Sequence, residues 1–242
     1  IPKEAFVLMA LPKIGLNTAL KMIDELPKSE IKKLLDKAQK LTDKDRRLLL
    51  PYAENIASEV VEWLKECPEL EKVESLGSLR RKSATVGDID ILASPNNSKI
   101  IEHFVNYLKT QKIIEQGEHT ASILLPNNVQ VDLLTANPES YGSALQHFTG
   151  SKFHNITLRE LALKKGYSLS EYGIKPNTKF KTEQELYQFL KLDYIEPELR
   201  EDGGEIQLSA AHRLPQLVEL KDVKGDLQIH SDFDIQTSHD LG

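Results

Sequence analysis

Residues 77–94, GSLRRKSATVGDIDILAS, hold two small residues, a pair of arginines and two aspartates inside an apolar run. The end of the stretch alternates with period two, as Asp88, Ile89, Asp90, Ile91. In a strand, residues i and i+2 share a face, so Asp88 and Asp90 project together while Ile89 and Ile91 enter the other side. Two carboxylates this close repel once ionised, and a strand that displays them calls for a cation between them. A hard divalent ion such as Mg2+ takes oxygen ligands, commonly one or two carboxylates together with substrate phosphates. Gly77 and Ser78 leave room for phosphate oxygens near the backbone, and the Ser78 hydroxyl can donate to them. Arg81 can fork two donors onto a phosphate. Gly87 lets a ligand approach the chain closely just before Asp88. Alone, a D-x-D is most often a solvated turn or edge and a basic run a solvated face. The order and spacing of the parts make the segment specific.

A third carboxylate lies downstream. VQVDLL, 129–134, sets Asp132 in an apolar strand, and Asn127-Asn128 separates it from SILLP, 122–126. Asn tolerates positive φ, so this pair signals a hairpin. With that strand beside DIDIL, three carboxylates converge. Two-metal phosphoryl transfer needs such a cluster, one ion activating an attacking hydroxyl and the other holding departing pyrophosphate.

Outward from this centre, KVESLGS at 72–78 also reads as a strand, and KIIEHFVNYLKTQ at 99–111 as a helix. Upstream, LNTALKMIDEL, PKSEIKKLLDKAQKL and DKDRRLLLPYAENIASEVVEWLKEC have helical spacing, with Pro51 expected to break or kink the third. Downstream, SALQHFTG, HNITLRELALKKG and TEQELYQFLK read as helices, and YIEPELREDGGEIQ, 194–207, as a Pro- and acid-rich linker. The fold class is therefore α+β, mixed, with an α/β sheet between helical regions.

Two further segments carry chemistry. In LPKIGLNTALKMIDEL, 11–26, an apolar lead and an Ile14-Gly15 turn open a helix whose N-terminal N–H groups suit an anion; an ordinary helix–turn–helix packing unit is the equal alternative. In HFTGSKFHN, 147–155, an aromatic and a histidine precede a glycine break and a polar helix start, which could wall a sugar and base. Taken alone, a helix end, a glycine cap and a new helix start is the favoured reading of that segment.

These four segments, in this order, resemble the signatures of family X DNA polymerases, over roughly residues 5–200 and most strongly over 76–168. The resemblance implies a helix-hairpin-helix, fingers-like DNA-binding module at 1–46, a nucleotidyltransferase palm at 47–138 and a nucleotide-binding thumb at 139–200. Residues 201–242 would be a linker and the truncated start of a histidinol-phosphatase-like (PHP) domain, and the family's N-terminal lyase domain would be absent from this chain. Asp88, Asp90 and Asp132 would be the catalytic and metal-binding residues, holding Mg2+, with Mn2+ as a substitute. Gly77, Ser78, Arg81, Gly87 and Arg47 would hold the triphosphate. His147, Phe148, Gly150 and Asn155 would contact the nucleotide. Lys13, Ile14, Gly15, Leu16 and Arg159 would contact DNA. The partners implied are gapped or primer-template DNA and dNTPs, and a monomer is expected. His147 stands where animal members carry Tyr, Lys152 replaces an acidic residue, and Lys13 replaces the first glycine of the hairpin.

Composition sets outer bounds. The chain has 242 residues, 40% apolar, with formal net charge -6 and one cysteine. A negative balance argues weakly against nucleic acid, but basic residues cluster locally and a carboxylate site adds charge that bound ions would neutralise. The lone Cys67 suits a reducing, cytoplasmic setting. No apolar run suggests a membrane partner. Two rivals stay open: a nucleotidyltransferase acting on an RNA 3′ end or a small molecule, and a DNA-binding module without catalysis.

Overall fold

The structure is a computed structural model; it describes residues 16–35 and 47–225, together with Pro2, Glu4 and Leu8. A five-stranded mixed sheet occupies the middle of the chain, in the order β2-β4-β7-β6-β5. Its strands are β2 (Lys72–Ser75), β4 (Ile89–Ser94), β5 (Lys112–Gln116), β6 (Thr120–Leu125) and β7 (Val129–Thr135). A two-stranded ribbon of β1 (Leu48–Leu49) and β3 (Thr85–Val86) stands beside it. β4 and β7 run parallel, with Ile89 opposite Val131 and Asp90 opposite Asp132; β6 and β7 form the hairpin, where Asn128 has φ of 60°.

Helices cover the sheet because one face of its central strands is apolar and the other carries Leu92 and Leu134 beside the two aspartates. On one face Ile89, Ile91, Ala93, Val131 and Leu133 pack against Ala53, Ala57, Val60 and Leu64 of α2 (Leu50–Lys65) and Ile100, Ile101 and Phe104 of α4 (Ser98–Val105). Each such fully buried aliphatic or aromatic side chain stabilises the fold by about 1.5–3 kcal/mol relative to exposure. On the other face Leu92 meets Leu76 and Tyr141, Ala144 and Leu145 of α5 (Tyr141–Thr149). Asp90 shares that second face with Leu92, as the strand period requires. α1 (Leu16–Glu25) and a helical run at 28–35 precede the sheet, and the four-residue α3 (Gly77–Arg80) follows β2.

The C-terminal part has its own core, built from Leu158 and Ala162 of α6 (Lys152–Lys164), Leu186 and Tyr187 of α7 (Glu183–Phe189), Ile195, and Ile206 of α8 (Glu205–Ala210). A hairpin of β8 (Ser168–Ser170) and β9 (Gly173–Lys175) adds Ile174. Local signals set the helix starts. Ser151 accepts from the His154 N–H at the head of α6, and Thr182 with Glu185 forms a reciprocal capping box on α7.

Three expectations change. Pro51 lies in the first turn of α2 and causes no break, since its missing N–H is one the helix would not use there. The stretch 194–207 is not a linker: Ile195, Arg200, Glu205 and Ile206 are buried in the C-terminal core. Strands β5, β8 and β9 join the helices read in their neighbourhood. No helix among the described residues is long and apolar enough to cross a membrane.

Candidate active site

The parallel register of β4 and β7 puts Asp90 and Asp132 side by side on one face, and Asp88 enters from the bend before β4. One carboxylate oxygen from each of the three lies within 4.8 Å of the others. Asp90 is half-buried; burial, then the charges of Asp88 and Asp132, push its carboxyl up to about 7. Three oxygens of like charge converge, and the charges that act on Asp90 are both acidic. This donor set fits a hard divalent cation such as Mg2+, and the identity of the ion is not fixed by it.

Backbone geometry keeps the cluster open. Gly77 has φ of +56°, and a Cβ there would lie 3.0 Å from Oδ2 of Asp90. The Leu76 N–H donates to the Asp90 carbonyl at 2.8 Å, so the GSLRR turn is fastened to the strand that carries Asp90. Ser78 is the second residue of α3. Arg47 donates to the Thr85 hydroxyl at 2.7 Å and carbonyl at 2.6 Å. Its Nη1 would sit 3.4 Å from a Cβ at Gly87, next to Asp88. Gly77 thus lies against the Asp90 carboxylate, and Arg47 against Gly87, the residue before Asp88.

The two arginines share Thr149 but pair with different acids. Arg81 donates from Nε to Glu201 at 2.7 Å and from Nη1 to the Thr149 carbonyl at 2.6 Å. The same Nη1 would lie 3.2 Å from a Cβ at Gly150, whose φ is +70°. Arg80 forks onto Glu183 at 3.0 and 2.7 Å and donates to the Thr149 hydroxyl at 2.7 Å. Glu183 also receives Arg200 Nη1 at 2.5 Å and the Tyr194 hydroxyl at 3.1 Å. Burial opposes its charge, but Arg200 and Arg80 hold the Glu183 carboxyl below its usual value. Sequence reasoning missed this network; the adjacent arginines were its visible trace, and their acidic partner gave no signal.

At the end of α5, Phe148 lines a cavity of about 370 Å³ with Leu76, Asp90, Thr120, Asp132 and Leu134. The His147 ring meets Phe148 edge-on at 4.9 Å and accepts at Nδ1 from Arg159 at 3.0 Å. Burial, then Arg159, hold the His147 imidazole below its usual value, in keeping with its acceptor role. Asn155 donates to the His147 carbonyl at 2.7 Å and accepts from Gln146 at 2.8 Å. His147 thus joins Phe148, Asn155 and Arg159, Phe148 brings this group to the carboxylates, and Gly150 lies against Arg81. Lys13, Ile14 and Gly15 lie outside the described residues, and Leu16 begins α1.

Comparison with known proteins finds relatives over most of the chain. The DNA polymerase beta thumb family matches residues 144–201. The DNA polymerase/3′-5′ exonuclease PolX of Bacillus subtilis is 34% identical over 212 residues, 84% of this chain and 37% of that protein. The repair DNA polymerase X of African swine fever virus (isolate Warthog/Namibia/Wart80/1980) is 31% identical over 138 residues, 52% of this chain and 79% of the viral protein. Rat DNA polymerase lambda is 27% identical over 159 residues, 52% of this chain and 28% of that protein. The chain thus spans little more than a third of the bacterial relative and most of the viral one. From the glycine-flanked carboxylate pair to the C-terminal helical core, this chain belongs to family X of the DNA polymerases.

Proposed function

We propose that the chain is the core of a template-directed DNA polymerase that adds dNTPs to a primer 3′-hydroxyl during gap filling in DNA repair. The observation that carries this reading is the in-register pairing of Asp90 with Asp132, which brings three carboxylates together in a member of this family. Asp88, Asp90 and Asp132 hold divalent ions, Mg2+ or Mn2+, whose bound charge would stabilise the negative charge that develops in phosphoryl transfer.

The remaining work falls to the chain. Gly77 keeps side-chain atoms away from Asp90, so a triphosphate can reach the carboxylates. Ser78, Gly87, Arg47 and Arg81 cradle its phosphates. Arg81 must exchange Glu201 and the Thr149 carbonyl for phosphate oxygens, a trade of one set of charge-assisted hydrogen bonds for another. Phe148 and Gly150 line the sugar pocket with His147, and Asn155 contacts the incoming base after leaving the His147 carbonyl. Arg159, with the Lys13, Ile14, Gly15 and Leu16 segment, holds DNA. Residues 1–46 act as the fingers-like module, 47–138 as the palm and 139–200 as the thumb, whose core takes in Ile206 of α8, and the residues after α8 lead toward a PHP domain.

Extension of a labelled primer across a one-nucleotide gap, with Mg2+ and each dNTP separately, tests the proposal. Addition of the templated nucleotide alone is expected. Untemplated addition would favour a terminal transferase, and tight DNA binding without any addition would leave a binding module.

A further inference from the structure

The strand that carries Asp132 carries a second polar side chain on the same face. Gln130 lies two residues earlier on β7, and its exposed amide reaches along the strand to Asp132. Nε2 stands 2.9 Å from Oδ1 and 3.0 Å from Oδ2. A carboxylate only accepts, so the amide end that faces it is the NH2. One nitrogen equidistant from both oxygens lies in front of the carboxylate, on the side where a single cation would chelate it. The outer lone pairs of each oxygen stay available to the three-carboxylate cluster, whose oxygens converge within 4.8 Å. Neither Asp88 nor Asp90 has such a donor among the hydrogen bonds of the described side chains.

We propose that Gln130 is a positioning residue for the metal centre. Its amide fixes the plane of the Asp132 carboxylate and closes the chelating side, so that Asp132 presents one oxygen to an ion shared with Asp90. A neutral donor does this without cancelling the charge the ion needs, where an arginine or lysine would compete with it. The inference rests on the polymerase reading above for the identity of the reaction, and on geometry alone for the role of the amide.

Gln130→Met tests it. Methionine keeps the length and bulk of the side chain and removes both donors, and Gln130 sits exposed at the sheet surface, so the fold is retained. The first readout is a Mn2+ titration of the free protein followed by electron paramagnetic resonance; the second is single-nucleotide gap filling, resolved into kcat and KM for dNTP. Loss of a partner to a metal-ligating group costs about 10- to 100-fold in affinity or rate, and for an exposed donor the low end applies. We expect about tenfold weaker Mn2+ binding and about tenfold lower kcat, with KM for dNTP within twofold, and the same pattern in Gln130→Ala. A methionine variant that binds Mn2+ as tightly as the parent, or more tightly, and turns over at the parent rate overturns the proposal, because space-filling would then be the whole role of the side chain. If the parent protein incorporates no dNTP, the polymerase reading fails, while the Mn2+ titration still decides for or against the positioning role.

Discussion

Replacing Asp90 by Asn should stabilise the metal-free protein while ending its activity. Asp90 moves from 3.8 to about 7 on folding, chiefly through burial and then through Asp88 and Asp132. At about 1.4 kcal/mol per pH unit, this sets a ceiling of about 4 kcal/mol for the cost of ionising it in the fold. The side chain keeps contact with water, so screening lowers the expected effect to about 1–2 kcal/mol. The sign follows from linkage. Between the two values the folded state keeps a proton that the unfolded chain has lost, so this contribution is fully present below 3.8 and is lost as pH rises through about 7. Asn has nearly the same shape and never ionises. Thermal unfolding in EDTA should therefore show no difference between the proteins at pH 4 and a Tm about 2–8 °C higher for Asp90→Asn at pH 8, taking about 2–4 °C per kcal/mol for a chain of this size. Millimolar Mg2+ at pH 8 should raise the parent and leave the variant nearly unmoved. Parallel pH profiles for the two proteins, or a variant less stable at pH 8, would refute the argument that converging carboxylates strain this strand.

Asp132→Ala should abolish dNTP incorporation while gapped-DNA affinity, measured by fluorescence anisotropy, stays within about twofold, because phosphate contacts elsewhere dominate binding. Gly77→Ala places a side chain at positive φ, costing about 1–2 kcal/mol, and sets a methyl 3.0 Å from the Asp90 carboxylate; calorimetry should show the loss, and Mn2+ titration should show weakened metal binding. Glu183→Gln removes the charge shared by Arg80 and the fully buried Arg200. Breaking a buried pair costs about 3–5 kcal/mol, so Tm should fall by on the order of 10 °C. A drop of only one or two degrees would mean that Arg200 finds adequate compensation in the Ile195 carbonyl.

The carboxylate centre was legible because two simple periodicities act on it. Alternation places Asp88 and Asp90 on one side, and the apolar flanks of both strands leave a single register in which Ile89, Ile91, Val131 and Leu133 are all buried. The hairpin before Asp132 followed from Asn128, whose positive φ the structure bears out. The contacts that tie the C-terminal core to the sheet were not legible. Arg80 and Glu183 are 103 positions apart, and a charged residue in a sequence resembles every other solvated charge until its partner is placed. The stretch 194–207 misled for the same reason, since its acids and Arg200 suggest solvent while Arg200 is buried between Glu183 and the Ile195 carbonyl. β5 escaped because its five residues are all exposed, which leaves no alternation to read.

The side-by-side placement of Asp90 and Asp132 has a consequence for how the protein reaches its native state. These strands are neighbours in the sheet but not in the chain: α4, β5 and β6 intervene, so their parallel pairing closes a long loop. Forming the hydrogen bonds at the centre of the sheet thus also brings two carboxylates together. Zipping of this pair runs uphill electrostatically at the three-carboxylate cluster, and a divalent ion present during refolding relieves the repulsion at that point. Refolding should quicken with Mg2+ in the parent and lose that response in Asp90→Asn, making the barrier crossed by the nascent chain a record of the charge its mature surface is built to carry.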